Sequence, residues 1–249
     1  MGMWRVLKRH LLVFRRIWWT NTMFNFIEPL LYMSAMGFGL GVYVTDIDGV
    51  SYAQFIAPGF VASSGMWAST FECTYGTFVR LQYEKTLHAM LAGPLTVSDI
   101  IWGEVLYATV KSFFYGTVIL AVIALLGMVQ SWWSLAILPF LMLPGMVFAL
   151  LALSYTGFIQ NIDHINYYIT LFSTPVYLFS GIFFPLDTLP QWAQIAAWMN
   201  PLYHSVEVCR ALVLGKLSVA LLPHLVALMA CIVVLSWLPV RLMRKRLIS

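Results

Sequence analysis

Charged residues are scarce in this chain: they make up 10% of its 249 residues, whereas 61% are hydrophobic. Soluble domains carry roughly 25% charged residues, and a single soluble core could not bury so many apolar side chains. The composition therefore excludes an ordinary soluble protein. A membrane-spanning helix needs about 20 mostly apolar residues, so the chain has room for about six. We predict an all-α integral membrane protein with six transmembrane helices.

Cysteines are also few, and Cys73, Cys209 and Cys231 lie far apart. With no Cys-x-x-Cys or His/Cys spacing, neither a disulfide framework nor a zinc site is indicated. The sequence also lacks the His-Glu-x-x-His, Gly-x-Ser-x-Gly and phosphate-loop motifs of metalloproteases, serine hydrolases and nucleotide-binding proteins. We therefore predict no catalytic, metal-binding or cofactor-binding residues here, and any ATP-driven step would need a separate ATPase subunit.

The positive charges that are present are clustered. Eleven of the 14 Lys and Arg residues lie near the N-terminus, in one loop or near the C-terminus: Arg5, Lys8, Arg9, Arg15, Arg16, Arg80, Lys85, Arg241, Arg244, Lys245 and Arg246. Cytoplasmic segments of membrane proteins are enriched in Lys and Arg, so this distribution predicts that both termini are cytoplasmic. The pattern indicates contact with a membrane surface rather than with nucleic acid.

Hydropathy divides the chain into an N-terminal helix, residues 1–20, and a six-helix membrane domain, residues 21–249. The N-terminal helix has basic and apolar residues on opposite faces, which is typical of a helix lying in the membrane interface. The predicted spans are 23–43, 52–76, 100–127, 134–158, 167–186 and 218–238. A cytoplasmic connector, 77–99, separates the second and third spans, and an outer segment, 187–217, separates the fifth and sixth.

Four ionisable residues fall within the predicted spans: Glu28, Glu72, Glu104 and Lys111. Such groups are costly in lipid and usually face other helices or a water-filled cavity. Glu28 precedes Pro29, which favours a kink or a short break in the helix. Lys111 follows Glu104 by about two turns, so it either snorkels or pairs with Glu104, or it lines a cavity.

The connector contains a shorter helical pattern. Residues 80–88 suit a short helix in which Glu84 and His88 lie one turn apart, and Gly93-Pro94 ends it. Residues 96–99 match a capping box that begins the third span. Taken alone, this is the pattern of a solvated loop helix with a Glu84–His88 pair.

The outer segment contributes four candidate site residues: Trp192, Trp198, His204 and Arg210. The two tryptophans belong to a predicted interfacial helix, residues 190–199, that begins with proline and stops at Asn200-Pro201. His204 and Arg210 would lie outside, where an anionic or hydroxylated substrate could meet them. Local pairing with Glu207 is the simpler interpretation.

Three stretches resemble the membrane subunit of type-2 ABC transporters, in particular the branch that contains nodulation protein J. They are VSYAQFIAPGFVASSGMWASTFE (50–72), QYEKTLHAMLAGPLTVSDIIWGE (82–104) and SGIFFPLDTLPQWAQIAAWMNPLYHSVEVCRALVLG (180–215). The family pattern in the last stretch is Pro-Leu-x-His followed by Arg and Gly, matched by Pro201, Leu202, His204, Arg210 and Gly215. The resemblance covers nearly the whole chain in the same order.

This resemblance implies a permease of the bacterial inner membrane, working as a homodimer with two copies of a separate ATP-binding cassette subunit that holds ATP and magnesium. Residues 83–90 would be a coupling helix docked on that subunit through Tyr83, Glu84, Lys85, Leu87, His88 and Met90. The helix at 190–199 would be a short re-entrant element near the exit. Relatives of this kind export lipo-oligosaccharides, polysaccharides or drug-like amphiphiles, so we expect an exporter of amphiphiles.

Two other classes of protein fit the residues. A membrane assembly or scaffold protein would also lack catalytic motifs, and an obligate ATPase partner with substrate-dependent hydrolysis would distinguish a transporter from it. A membrane enzyme acting on lipid-linked sugar would need a cluster of carboxylates or histidines facing one cavity. Its only candidates are Glu28, Glu72, Glu104 and Lys111.

Overall fold

Helices form the regular structure of residues 2–44, 46–47 and 49–248, which are the residues that the computed structural model describes, apart from the side chains of 17, 19–26, 28, 29 and 38. Across these ranges the extended pairing is limited to one isolated bridge between Ile47 and Val50. The all-α prediction is confirmed. The prediction for the Glu28 side chain lies outside the described residues.

The α-helices follow one another in chain order as α1 (Gly2–Ser34), α2 (Tyr52–Phe71), α3 (Thr77–Gln82), α4 (Thr86–Leu91), α5 (Val97–Leu125), α6 (Ile137–Phe140), α7 (Met142–Phe158), α8 (His164–Tyr167), α9 (Thr174–Leu178), α10 (Gln191–Trp198), α11 (Pro201–Leu214), α12 (Leu222–Leu235) and α13 (Leu238–Ile248). Short π-helical turns at Ala35–Gly39, Glu72–Gly76 and Tyr168–Ser173 join or extend several of them.

Three helical stretches are long and apolar enough to cross a membrane: Val97–Leu125, Trp132–Phe158 and Val219–Ile248. They coincide with the predicted third, fourth and sixth spans. The last continues past the predicted end at Pro239 to the end of the basic tail, because a proline in the first turn of α13 costs that helix no hydrogen bond.

Helix α1 is continuous, and the break considered at Glu28-Pro29 is absent. Its first half packs lengthwise on α5: Val6 contacts Gly103, and Phe14 stacks edge-on against Phe114. From the first contact to the second, the residue number rises along both helices, so α1 runs parallel to α5. The apolar face of this helix, which was expected to lie in the membrane interface, therefore packs on protein, with Val6 and Leu7 buried.

Helices α2, α5 and α7 form the centre of the fold, and they approach most closely around Ser112. Gly65 on α2 and Gly145 on α7 both face this side chain, and a methyl group added to Gly145 would lie 2.5 Å from Ser112 Cβ. The Ser112 hydroxyl donates to the carbonyl of Leu141 at 3.2 Å. Small residues at such points allow helix backbones to approach closely in membranes, which explains why α2 is buried along most of its length.

The fifth predicted span, 167–186, is placed differently by the structure. Its helical residues are His164–Leu178, after which Gly181 adopts a positive φ of 76° and the chain turns. The following outer segment contains α11, a 14-residue helix that the sequence reading did not predict. α11 packs on α2 and α12 with ten buried residues, so this part of the outer segment belongs to the core.

Candidate functional site

Five titratable side chains from three parts of the chain meet next to the point where α2, α5 and α7 pack around Ser112. We call this group the buried charge cluster: His10, Glu72, Arg80, Glu104 and Lys111. Arg80 bridges the two carboxylates, with Nη1 at 2.7 Å from Glu72 Oε1 and Nη2 at 2.5 Å from Glu104 Oε2. Lys111 Nζ donates to Glu72 Oε2 at 2.7 Å, and His10 Nε2 to Glu104 Oε1 at 2.8 Å.

The cluster is enclosed by protein. Glu104 is 1% exposed, His10 3% and Glu72 7%. Isolated charges at such depth would be strongly unfavourable, but paired and hydrogen-bonded charges are tolerated. The Thr77 hydroxyl adds a 2.9 Å hydrogen bond to Glu104. The four formal charges of Glu72, Arg80, Glu104 and Lys111 cancel, so the cluster is neutral without His10.

Local helix geometry brings these groups together. Glu72 opens the π-helical turn Glu72–Gly76, which continues α2 into α3 and carries Arg80 two turns beyond Glu72. A π turn inserts one residue and rotates the side chains that follow. Glu104 and Lys111 lie on the same side of α5, and His10 reaches them from α1 and stacks on Tyr107 at 4.8 Å between ring centroids.

The partner of Lys111 differs from the one considered from the sequence. Lys111 pairs with Glu72 rather than with Glu104, and it does not snorkel. Sequence reasoning did not identify Arg80 and His10 as members of the cluster. The spacing of Glu72 and Arg80, two turns apart, could have indicated that they form an ion pair. For His10 the only indication was its position beside the apolar face of α1.

The connector folds into two helices instead of the single helix predicted for residues 80–88. α3 ends at Gln82, and Lys85 adopts the left-handed conformation with φ of 54° before α4 begins at Thr86. The Glu84 carboxylate accepts from the Thr86 hydroxyl at 3.1 Å. The predicted Glu84–His88 pair is not among the ion pairs of the described residues. The predicted capping box is confirmed: the backbone N–H of Thr96 donates to the Asp99 carboxylate, and the backbone N–H of Asp99 donates to the Thr96 hydroxyl, at 3.2 Å each.

The six predicted coupling residues separate into two groups. Four are exposed and form what we call the docking surface: Tyr83, Glu84, Lys85 and His88. Leu87 is fully buried and Met90 half-buried, both packed in the hydrophobic cluster that also holds Ile100 and Met243. Leu87 and Met90 therefore fix α4 to the membrane helices, and the docking surface is left facing outward.

His204 lies in the core, 3% exposed, and not on the outer surface where it was expected. Its Nε2 lies 2.9 Å from the carbonyl of Trp198, and its Nδ1 lies 2.8 Å from Nδ1 of His224. Because a carbonyl only accepts, Nε2 must donate, and Nδ1 of the neutral ring then accepts from His224. His204 thus joins α10, α11 and α12.

Arg210 also has a structural position. Its guanidinium pairs with Glu207 at 2.5 Å, as the simpler interpretation predicted, and donates to the carbonyl of Gly181 at 2.6 Å. The group also lies 4.0 Å above the ring of Phe55. Trp192 and Trp198 on α10 remain exposed.

An open cleft of about 430 Å³ lies between α1, α2 and α9. We call it the aromatic cleft, after six of its lining residues: Tyr32, Phe60, Trp67, Phe71, Tyr177 and Phe183. The hydroxyls of Ser63, Ser64 and Thr174 also line it, and each donates to a carbonyl of its own helical segment. A hydroxyl oxygen that donates one hydrogen bond can still accept another. Aromatic faces with nearby hydroxyls suit an amphiphilic ligand.

Among the described residues, no group of three or more His, Cys, Asp and Glu side chains has the arrangement of a metal site. The charge cluster carries two carboxylates and one histidine, but each is paired within the protein.

Comparison with known proteins places these features in context. The profile of the family described as "ABC-2 type transporter" matches residues 1–214. The chain is 37% identical to nodulation protein J of Rhizobium meliloti over 242 residues, 97% of this chain and 92% of that protein. It is 38% identical to nodulation protein J of Rhizobium leguminosarum bv. trifolii, covering 98% and 93%. It is 27% identical to the inner membrane transport permease YadH of Escherichia coli, covering 81% and 78%.

Proposed function

Because this chain belongs to the ABC-2 type transporter family and is a membrane transport subunit, we propose that it is the permease of an ATP-driven exporter. Its sequence carries no phosphate loop, so hydrolysis is assigned to two copies of a separate ATPase that hold ATP and magnesium. The observation that carries the proposal is the docking surface, four exposed polar side chains on a turn whose neighbours are anchored in the core.

The contacts of α3 and α4 suggest how movement of an ATPase would reach the membrane helices. A push on the docking surface is passed by Leu87 to the hydrophobic cluster around Ile100 on α5. The same push displaces α3, whose Arg80 is tied to Glu72 and Glu104. Tightly packed interiors transmit displacement rather than absorb it, so α2 and α5 move together.

The topology of the proposed permease has six membrane crossings, with both termini in the cytoplasm of a bacterium and the chain in its inner membrane. Three crossings have supporting length and composition. The short fifth segment and the buried α11 would make up the outer part of the bundle together. A second identical copy of the chain would complete the transport pathway.

The aromatic cleft is the part of this chain that we assign to the pathway. Glu72, Glu104 and Lys111 were candidates for that role, but their charges are used in buried ion pairs. The cleft offers stacking faces and hydroxyl acceptors instead, which suit a lipo-oligosaccharide, a polysaccharide or a drug-like amphiphile. The first of these is what the resemblance of the sequence to the nodulation protein J branch implies.

The test begins with affinity purification of the chain from its native membrane in mild detergent, followed by mass spectrometry. We expect a soluble subunit with a phosphate loop in stoichiometric amount. In the variant Y83A/E84A/H88A, recovery of that subunit should fall at least tenfold, while the thermal unfolding of the chain stays unchanged because these side chains are exposed.

The matched control is D187A/Q191A, which changes exposed residues of the outer segment and should leave recovery unaltered. Recovery of the chain alone in several detergents, even after crosslinking, would favour the scaffold function. A bound ATPase whose hydrolysis no amphiphile stimulates would also count against transport.

A further inference from the structure

The basic C-terminal tail forms one wall of a groove. In α13, Pro239, Met243 and Leu247 are buried at four-residue intervals against α5 and α7. Arg241, Arg244 and Lys245 lie on the exposed side. Together with Trp102 of α5 and Trp237, these three cations line an open groove of about 900 Å³.

The four cations of the tail are not equivalent. Arg246 points inward, where it donates to the carbonyl of Thr156 at 2.6 Å and lies over the ring of Phe78. The other three enter no ion pair within the described part of the chain, and no described carboxylate lines the groove. Among the described residues, therefore, nothing compensates the positive charge of the groove.

The same groove continues into an apolar stripe. Val226, Met229, Val233 and Trp237 follow at intervals of three or four residues, so they share one face of α12 and the turn after it. All four are exposed, between 49% and 68% of their surface. Arg241 extends the stripe by one more turn, with its guanidinium 5.6 Å from the Trp237 ring centroid. Cations thus lie at one end of the face and hydrocarbon along the rest.

We propose that this groove binds an anionic phospholipid, with the phosphate held by Arg241, Arg244 and Lys245 and an acyl chain lying along the stripe of α12. Basic pockets at the cytoplasmic ends of membrane helices bind such headgroups through charge. The apolar stripe distinguishes a lipid from free phosphate, and it distinguishes a lipid from an acidic protein surface. The inference rests on the proposed function only for the placement of α12 in the membrane and of the C-terminal end in the cytoplasm.

The experiment is native mass spectrometry of the delipidated full-length chain, titrated in detergent with dioleoyl phosphatidylglycerol or dioleoyl phosphatidylcholine. We expect phosphatidylglycerol to bind at least tenfold more tightly. R241Q/R244Q/K245Q should lose this preference, since each basic residue near a membrane surface adds to the attraction. The control R5Q/K8Q/R9Q makes the same change of charge on exposed positions of α1 and should retain it.

Thermal unfolding and further variants distinguish a loss of lipid binding from misfolding of the variant. Thermal unfolding without lipid shows whether the triple variant is folded, and if it is not, R241Q and R244Q singly should each weaken binding about threefold or more. W102A keeps every charge of the groove and should also weaken binding, because it removes the opposite wall.

Four results would overturn the proposal. Equal affinity for the two lipids is the first, and equal loss in the triple variant and the α1 control is the second. Displacement of the lipid by inorganic phosphate at the same concentration would assign the groove to the free anion. If the triple variant kept the lipid in the titration but lost the ATPase in a separate affinity purification, the groove would be a protein interface. Because the titration contains neither ATPase nor substrate, its failure is separate from failure of the transport function.

Discussion

Arg80 joins Glu72 and Glu104, which belong to different helices, through its two terminal nitrogens at 2.7 and 2.5 Å. No other described side chain bridges α3 to both the π turn after α2 and to α5 by ion pairs. The position of the connector relative to the membrane helices is therefore set by one guanidinium as well as by the packing of Leu87.

Removal of the Arg80 charge should destabilise the fold. Arg80→Met leaves two buried carboxylates facing each other, and breaking a buried ion pair in this way costs about 3–5 kcal/mol. Thermal unfolding in detergent measures the effect. Arg241→Gln is the control, because Arg241 is exposed and outside the charge cluster. Adding Glu104→Gln to Arg80→Met should restore part of the loss, and no recovery would contradict the charge explanation.

The contact of Gly65 with Ser112 predicts a specific rescue. A methyl group on Gly65 would clash with Ser112 Oγ but would lie 3.6 Å from its Cβ. Overpacking in Gly65→Ala should cost about 1–3 kcal/mol. A gain in helix propensity of at most about 1 kcal/mol offsets part of this cost, so the variant should be less stable. The second substitution Ser112→Ala should relieve the clash. Gly145→Ala meets Cβ itself at 2.5 Å, so Ser112→Ala should not rescue it; equal rescue would refute this packing.

The backbone of Lys85 predicts different effects for two neutral substitutions. Glycine adopts a positive φ freely, whereas a β-branched residue does so only with strain of about 1–2 kcal/mol. Lys85→Val should therefore loosen α4, and hydrogen exchange of the amides in Thr86–Leu91 should accelerate about fivefold or more. Lys85→Gly should leave exchange nearly unchanged. Similar exchange in both variants would show that the turn does not depend on this conformation.

Arg210→Lys should destabilise the outer part of the bundle, although the substitution keeps the positive charge. A lysine cannot pair with Glu207, donate to the Gly181 carbonyl and lie flat on Phe55 at once, whereas the planar guanidinium does all three. We expect a loss of about 1–3 kcal/mol, with limited proteolysis near Gly181 becoming faster. Lys216→Arg is the control on an exposed residue. Unchanged proteolysis would show that Arg210 does not hold this segment.

The features predicted correctly from sequence are those governed by local rules. The capping box at Thr96 and the apolar lengths of α5 and α7 depend on neighbouring residues alone. Tertiary contacts determined the rest. α11 falls in the predicted outer segment, where His204, Glu207 and Arg210 interrupt the apolar pattern. The structure pairs His204 with His224 and Arg210 with Glu207. The partner of Lys111 lies 39 positions away, which no periodicity reveals.

The neutrality of the charge cluster has an electrical consequence. A single uncompensated charge crossing a membrane gains or loses about 2.3 kcal/mol for every 100 mV. Two carboxylates and two cations that move as one unit experience no net force from the field. A conformational cycle that displaces α2 and α5 together therefore does no work against the membrane potential through this cluster.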